Sequence, residues 1–295
     1  MNFITLGTFD GVHLGHRRLL GELACMARIS AMKSLVLYFT EPPRAVLSGC
    51  KTASLLTLPH EREKLILSCG PDAAAPLKCD RRFLAQSPET FFKRQLLGRY
   101  KAGALLVGRD FAFGKNRAGH LDFLRRACLK ERIPLFVHPF ICSQGRKISS
   151  SGLRLLVKEG KLDEAASQLG RYYSAGGKIV HGQGLGRKLG FPTANLDVDP
   201  RKLLPSGVFA AHARLGDSVF AAVVNVGQRP TLDKPGPLLL EAHLLDFSRN
   251  IYGRVLEVEF VSRLRHEMKF GDLAALCRQL RKDAAHARKI LKLAL

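Results

Sequence analysis

Two histidines three positions apart, His13 and His16, close the string Gly7-Thr8-Phe9-Asp10-Gly11-Val12-His13-Leu14-Gly15-His16. The preceding Asn2-Phe3-Ile4-Thr5-Leu6 reads as a short buried strand, and Gly7 ends it. From about Leu14 the apolar positions Leu20, Leu23, Ala24 and Ala27 recur at helical spacing. The histidines therefore sit where a strand turns into a helix. Free backbone N–H groups and the positive end of a helix dipole gather at such a place, which suits phosphate. Residues three apart on a first helical turn face the same side. Gly11 and Gly15 lack a Cβ, so a ligand can approach the backbone closely there.

A second glycine-rich stretch lies in the other half of the chain. Gly177-Lys178-Ile179-Val180-His181-Gly182 is followed by Gly184, by Gly186-Arg187, and by Gly190-Phe191-Pro192-Thr193-Ala194-Asn195-Leu196. Glycines of this kind free backbone N–H groups to wrap phosphates. Thr193 and Asn195 are two apart on an extended segment, so their side chains point one way. Further on, Glu241 and His243 share one face of the strand expected at Leu238–Asp246.

The elements that must hold these groups differ between the halves. Strands at Asn2–Leu6, Ser34–Phe39, Ala104–Val107 and Leu135–Phe140 alternate with helices from Leu14, over Thr57–Cys69, from Ser87 to about Tyr100 and around Leu121–Glu131. That alternation predicts a doubly wound α/β sheet, whose ligands bind at the carboxyl ends of the strands. Gly7–His16 and Gly108-Arg109-Asp110-Phe111 both fall there. Two short helices, Leu153–Lys158 and Lys161–Leu169, precede a change of character at Arg171–Gly177. The expected domains are therefore 1–171 and 172–295. Beyond that boundary the period shifts towards two, with strands expected at Lys178–Gly182, Val208–Leu215, Val219–Asn225, Leu238–Asp246 and Val255–Val261. These predict a small antiparallel β-barrel, closed by an amphipathic helix from Asp272 to about Leu293.

A chain of 295 residues has room for two domains with a core each. Its hydrophobic content, 46%, is that of a soluble globular protein, and no 18-residue apolar run suggests a membrane span. The first residues already read as a strand and a site, so no secretory signal is expected and the location expected is cytoplasmic. The seven cysteines are scattered without a C-x-x-C pair, which fits free thiols in a reducing compartment. A formal net charge of +22 favours anionic partners. The Lys and Arg residues are dispersed, and the chain has no Trp and only 5 Tyr for a stacking platform. Solvated surface and phosphate sites account for the charge better than specific nucleic-acid recognition.

The string Gly-x-Phe-Asp-x-x-His-x-Gly-His resembles the phosphate-binding signature of the HxGH nucleotidyltransferases, which have a Rossmann-like fold. With Gly11-Val12 in place, it looks most like the bacterial bifunctional riboflavin kinase/FMN adenylyltransferases, or FAD synthetases. Gly108-Arg109-Asp110-Phe111-Ala112-Phe113-Gly114 is similar to the family's G-x-(D/N)-F-x-F-G loop, which places Asp110 near the nucleotide. Ile148-Ser149-Ser150-Ser151-Gly152-Leu153-Arg154 resembles its Ile-Ser-Ser-Thr-x-x-Arg, a helix start with hydroxyls and a two-pronged donor for phosphate. The second glycine-rich stretch looks like the riboflavin kinase motif. Val224–Thr231 resembles the family's Asn-x-Gly-x-Arg-Pro-Thr turn, and Glu241–Asp246 its Glu-x-His-x-x-Asp strand.

The resemblance implies ATP, riboflavin and FMN as substrates and Mg²⁺ as the metal. It implies His13, His16, Arg154 and Glu241 as catalytic, with Glu241 the base of the kinase. The nucleotide is expected on Gly7–Gly11, Gly15, Gly108, Asp110, Ser149–Ser151, Gly182, Gly184, Gly186, Arg187, Gly190, Pro192, Thr193 and Asn195. Neutral oxygens such as those of Thr193 and Asn195 suit magnesium shared with ATP phosphates. One stretch departs from the family: Tyr38-Phe39-Thr40-Glu41-Pro42-Pro43 stands where the pattern is Thr-Phe-(Asp/Glu)-Pro-His-Pro, so the acidic position is Thr40 and the histidine position Pro42. Ser151 replaces the threonine of the Ser-Ser-Thr motif. Three other readings stand beside this one. A class I aminoacyl-tRNA synthetase would need a Lys-Met-Ser-Lys-Ser-type loop, and none is present. The other two are a riboflavin kinase with a degenerate adenylyltransferase site, and a non-catalytic flavin- or RNA-binding protein.

Overall fold

The computed structural model describes residues 1–48, 54–140, 142–143, 146–182, 184–228 and 238–292, in two compact units, Met1–Ser150 and Ser151–Leu295. In the first unit β1 (Asn2–Gly7), β2 (Lys33–Phe39), β3 (Ala73–Leu77), β4 (Ala102–Gly108) and β5 (Leu135–His138) form a parallel sheet in the order β3-β2-β1-β4-β5. Between them run α1 (Leu14–Ile29), α2 (Pro43–Ser48), α3 (Pro59–Leu67), α4 (Arg81–Leu84), α5 (Pro88–Thr90) and α6 (Leu121–Lys130). A two-residue hairpin, β6 (Cys142–Ser143) and β7 (Arg146–Lys147), follows β5.

Alternate residues of the strands feed two cores, which makes the sheet doubly wound. Phe3, Val36 and Leu106 pack with Leu20 and Leu23 of α1 on one face. Ile4, Leu37 and Leu105 pack with Phe91, Phe92 and Leu96 on the other. Strand order reverses between β1 and β4, so their carboxyl ends, Gly7 and Gly108, open at the switch point where such sheets bind ligands.

Two local features differ from expectation. β3, with the sequence Ala-Ala-Ala-Pro-Leu, was not anticipated, because alanine and proline carry little strand signal and pairing with β2 decides it. The helix from Ser87 starts as expected, with Ser87 Oγ accepting from the Thr90 amide at 3.1 Å and Pro88 in the first position. From Phe91 to Arg99 it is wound as a π-helix.

The second unit is a closed barrel of six antiparallel strands in the order β10-β11-β12-β9-β8-β13. These are β8 (Tyr173–Val180), β9 (Ala194–Asp197), β10 (Gly207–Leu215), β11 (Ser218–Gln228), β12 (Leu238–Leu244) and β13 (Val255–Arg265). Its helices are α7 (Ser150–Glu159), whose first residue closes the first unit, then α8 (Leu162–Leu169), the single-turn α9 (Leu185–Lys188) and α10 (Leu273–Lys292). α8 buries Leu162, Ala165 and Leu169 and packs on β8 and β13. The compact unit therefore begins well before the boundary expected at 171/172. Ala287 and Leu291 of α10 pack on Val208, Ala210 and Val261. Among the described residues no helix is long and apolar enough to cross a membrane. Arg229, Pro230 and Thr231 of the Val224–Thr231 turn, and Cys50 of the seven cysteines, lie outside the described residues.

Candidate active sites

The loop from Gly7 to His16 leaves β1 and enters α1. His13 is the N-cap of α1, and its Nδ1 accepts from the His16 amide at 3.3 Å. That bond fixes the tautomer, leaving Nε2 to carry the proton of a neutral ring. The two imidazoles stack with centroids 3.6 Å apart and planes 15° from parallel, and Phe9 meets His16 edge-on at 5.2 Å. Burial first, then the adjacent His13 and the Arg62 guanidinium, hold the His16 proton affinity well below its ordinary value. His16 Nδ1 is buried without a hydrogen-bond partner among the described residues.

Asp10 points away from this face. Its carboxylate is fully buried and accepts from the Thr57 amide (2.9 Å), Thr57 Oγ1 (3.0 Å), the Leu56 amide (3.1 Å) and Arg62 Nη2 (3.1 Å). Arg62, also fully buried, donates further to Thr57 and to the Phe39 carbonyl. Asp10 therefore holds the loop from beneath instead of meeting a ligand with its carboxylate. Gly11, at φ +85°, donates its N–H to Thr57 Oγ1 at 2.9 Å. Phe9 (φ 48°) and Val12 (φ 38°) also adopt left-handed backbone, which costs energy for residues with a Cβ.

Ser150, the last residue of the first unit, donates its Oγ–H to the Asp10 carbonyl at 2.8 Å. Ser149 precedes α7, Ser151 follows on its exposed first turn, and Arg154 stands a turn further along, half-buried. Gly7, Thr8 and Gly15 frame the loop, and a Cβ on Gly7 would press on the Phe9 ring at 3.2 Å. Gly108 ends the neighbouring β4, and Asp110 beyond it pairs with Lys147 at 2.6 Å, both side chains well exposed.

In the barrel, three polar side chains line up across adjacent strands. Asn225 of β11 and Asn195 of β9 both register with Glu241 of β12. All three, with Thr193, Gly184 and Gly186, line a cavity of about 500 Å³ whose far wall includes Leu276 and Leu280 of α10. Thr193 also borders a second cavity of about 460 Å³, with Arg187, Pro192 and Tyr252. The glycines make room: a Cβ on Gly182 would fall 2.3 Å from the Asn195 amide, and one on Gly186 would meet the Phe191 carbonyl. Gly184 (φ +71°) and Gly190 (φ +80°) supply the left-handed turns. His243 donates Nδ1–H to the Pro192 carbonyl at 2.8 Å, bracing the Thr193 segment.

The FAD synthetase family model matches residues 1–152, and the riboflavin kinase family model matches 169–291. A bifunctional riboflavin kinase/FMN adenylyltransferase of Haemophilus influenzae is 34% identical over 287 residues, 97% of this chain and 92% of that one. The protein of the same name from Escherichia coli K12 is 33% identical, covering 98% and 93%. This chain belongs to the bifunctional riboflavin kinase/FMN adenylyltransferase family. A crystal structure of a macrolide-efflux protein from Streptococcus pneumoniae shares the fold, with a TM-score of 0.89 and 27% identity over 97% of this chain and 94% of that one.

Within this family fold, the structure gathers Gly184, Gly186, Thr193, Asn195 and Glu241 at one cavity, and places Arg187 and Pro192 at the other. Thr193 and Asn195 offer neutral oxygens in a cradle that a Cβ would fill, a donor set that fits a hard cation keeping waters and phosphates as its other ligands. Sequence reasoning missed Asn225 as a site residue, although its alternation with the buried Val224 and Val226 signals the same face as Glu241. It also missed Thr57 and Arg62. Nothing near them in sequence shows that they meet Asp10. The departing stretch begins inside β2, where Tyr38 is buried and donates to Glu63 at 2.9 Å, with burial pushing its phenol up to about 12.

Proposed function

We propose that the first unit adenylylates FMN to FAD and the second phosphorylates riboflavin to FMN, so that one chain makes FAD from riboflavin and two ATP. One contrast carries this reading. Glu241 stands in a ligand-sized cavity among amide and hydroxyl groups, whereas the one carboxylate of the histidine loop, Asp10, is consumed by Arg62, Thr57 and Leu56. The first arrangement supplies a base and the second withholds one.

The terminal ribityl hydroxyl of riboflavin is a weak nucleophile. Glu241 accepts its proton as the oxygen attacks the γ-phosphorus of ATP and ADP departs. The cavity walled by Leu276 and Leu280 suits the apolar flavin ring, and the one beside Arg187 and Tyr252 suits the nucleotide, with the phosphates meeting at Thr193. Magnesium held by Thr193, Asn195 and the phosphates would neutralise the γ-phosphoryl charge. FMN needs no base, because its phosphate is already an anion. Its oxygen attacks the α-phosphorus of ATP and pyrophosphate departs. The His13 Nε2–H, His16, the amides that open α1, and Arg154 are the donors assigned to the charge that grows there.

The observation favouring a kinase alone is the Thr40 and Pro42 substitution after β2. Incubation with riboflavin, Mg²⁺ and ATP, followed by chromatography of the flavins, separates the readings. FMN together with FAD is the expected result. FMN alone leaves only the kinase, and neither product overturns both assignments.

A further inference from the structure

We propose that Arg62 and Thr57 are positioning residues for adenylyl transfer: through Asp10 they hold the Phe9–Val12 backbone in its left-handed turns and so set where the two imidazoles stand. The proposal rests on the adenylyltransferase reading of the first unit.

Three observations meet here. Phe9 and Val12 occupy backbone conformations that residues with a Cβ rarely adopt, and they lie on either side of Asp10 and Gly11. Such strain persists only where the surroundings over-determine it. The surroundings are a buried polar knot. Thr57 Oγ1 donates to Asp10 Oδ1 at 3.0 Å and accepts from the Gly11 amide at 2.9 Å and Arg62 Nε at 3.3 Å. Arg62 donates further to Asp10, to the Thr57 carbonyl at 2.8 Å and to the Phe39 carbonyl at the end of β2. The knot joins α3 and the end of β2 to the loop that leads into His13 and His16. Neither Thr57 nor Arg62 reaches the ligand side, since both are buried. A knot of this kind fixes catalytic donors from behind, and a displacement of about 1 Å in such donors can cost on the order of 10²-fold in rate.

Thr57→Val is the decisive variant, because it keeps the volume and β-branching while removing all three hydroxyl bonds. In the full chain we expect kcat for FAD formation from FMN and ATP to fall by about 10- to 100-fold, with KM for FMN little changed. Phosphorylation of riboflavin by the same sample should match the wild type. Thr57→Ser keeps the hydroxyl and should recover most of the lost rate. Arg62→Gln, with histidines labelled for NMR, should raise the pH at which His16 titrates, since the guanidinium is one of the groups that hold it low. Wild-type FAD formation in folded Thr57→Val, an equal loss in Thr57→Ser, or a parallel loss of kinase activity would each overturn the proposal. A wild-type chain that makes FMN but no FAD would instead overturn the adenylyltransferase reading beneath it.

Discussion

At the scale of single residues, the His13–His16 stack has a consequence for pH. Burial first, then the neighbouring His13 stacked at 3.6 Å and the Arg62 guanidinium, make His16 resist protonation. In the unfolded chain His16 titrates near the ordinary value of about 6.5, so below it the unfolded state binds a proton that the native state refuses. Stability linked to His16 is therefore complete above about 6.5 and is lost as the pH falls towards the depressed native value. Melting of the wild type and of His16→Asn, followed from about pH 8 to pH 5, should show the steeper acid decline in the wild type. Parallel curves would contradict the assigned depression. Part of the proposed sites was legible from local spacing, His13 and His16 within one helical turn and Thr193 and Asn195 two apart, whereas Glu241 stood out only through the family resemblance of its strand. Arg62 was not legible, because a charged residue on a short helix reads as solvated surface, and its partner Asp10 lies in a different segment of the chain.

Among the elements, α10 has two tasks, covering the barrel and walling the cavity that holds Glu241. It is anchored by Arg265 of β13, whose guanidinium donates to both oxygens of Asp283 at 2.8–3.1 Å, while Gln279 donates to the same carboxylate at 2.8 Å. Asp283 is 4% exposed in its side chain and Arg265 16%. Breaking a pair this buried leaves a cation without its partner, at a cost of about 3–5 kcal/mol. Asp283→Ala should lower stability to urea unfolding by an amount of that order and raise the KM for riboflavin, because Leu276 and Leu280 move with the helix. A stability change below about 1 kcal/mol would place the pair with ordinary surface ion pairs. The amphipathic period of α10 gave its existence in advance. The Arg265–Asp283 clasp did not show, since it joins a strand end to a helix across an intervening loop. The later barrel strands were legible from alternation, but β9 was not, its four residues being too few for a period to show. β8 begins at Tyr173 instead of the expected Lys178 and ends at Val180, because Ser174, Gly176 and Gly177 carry no strand signal.

For the whole molecule, where the second unit begins bears on whether it can stand alone. The change of character at Arg171–Gly177 marks the first barrel strand, but the apolar face of α8, with Leu162 and Leu169, is buried on that barrel. Exposing two such leucine sites would cost roughly 1.5–3 kcal/mol each. A fragment of residues 151–295 should therefore fold and phosphorylate riboflavin, and one of residues 172–295 should melt at a lower temperature. Equal melting temperatures would show that α8 adds nothing to the barrel.

The proposal of two independent sites, one making the FMN that the other uses, is tested by giving riboflavin and ATP to His16→Ala, to Glu241→Gln and to an equal mixture of them, then chromatographing the flavins. His16→Ala should accumulate FMN, with FAD formation reduced on the order of 10²–10³-fold. Glu241→Gln should leave riboflavin largely unreacted, slowed roughly 10²–10⁴-fold. The mixture should make FAD at a rate near half that of the same total amount of wild type. A His16→Ala protein that is folded yet makes no FMN, or a mixture that makes no more FAD than either variant alone, would contradict two independent sites and point to one shared site for ATP.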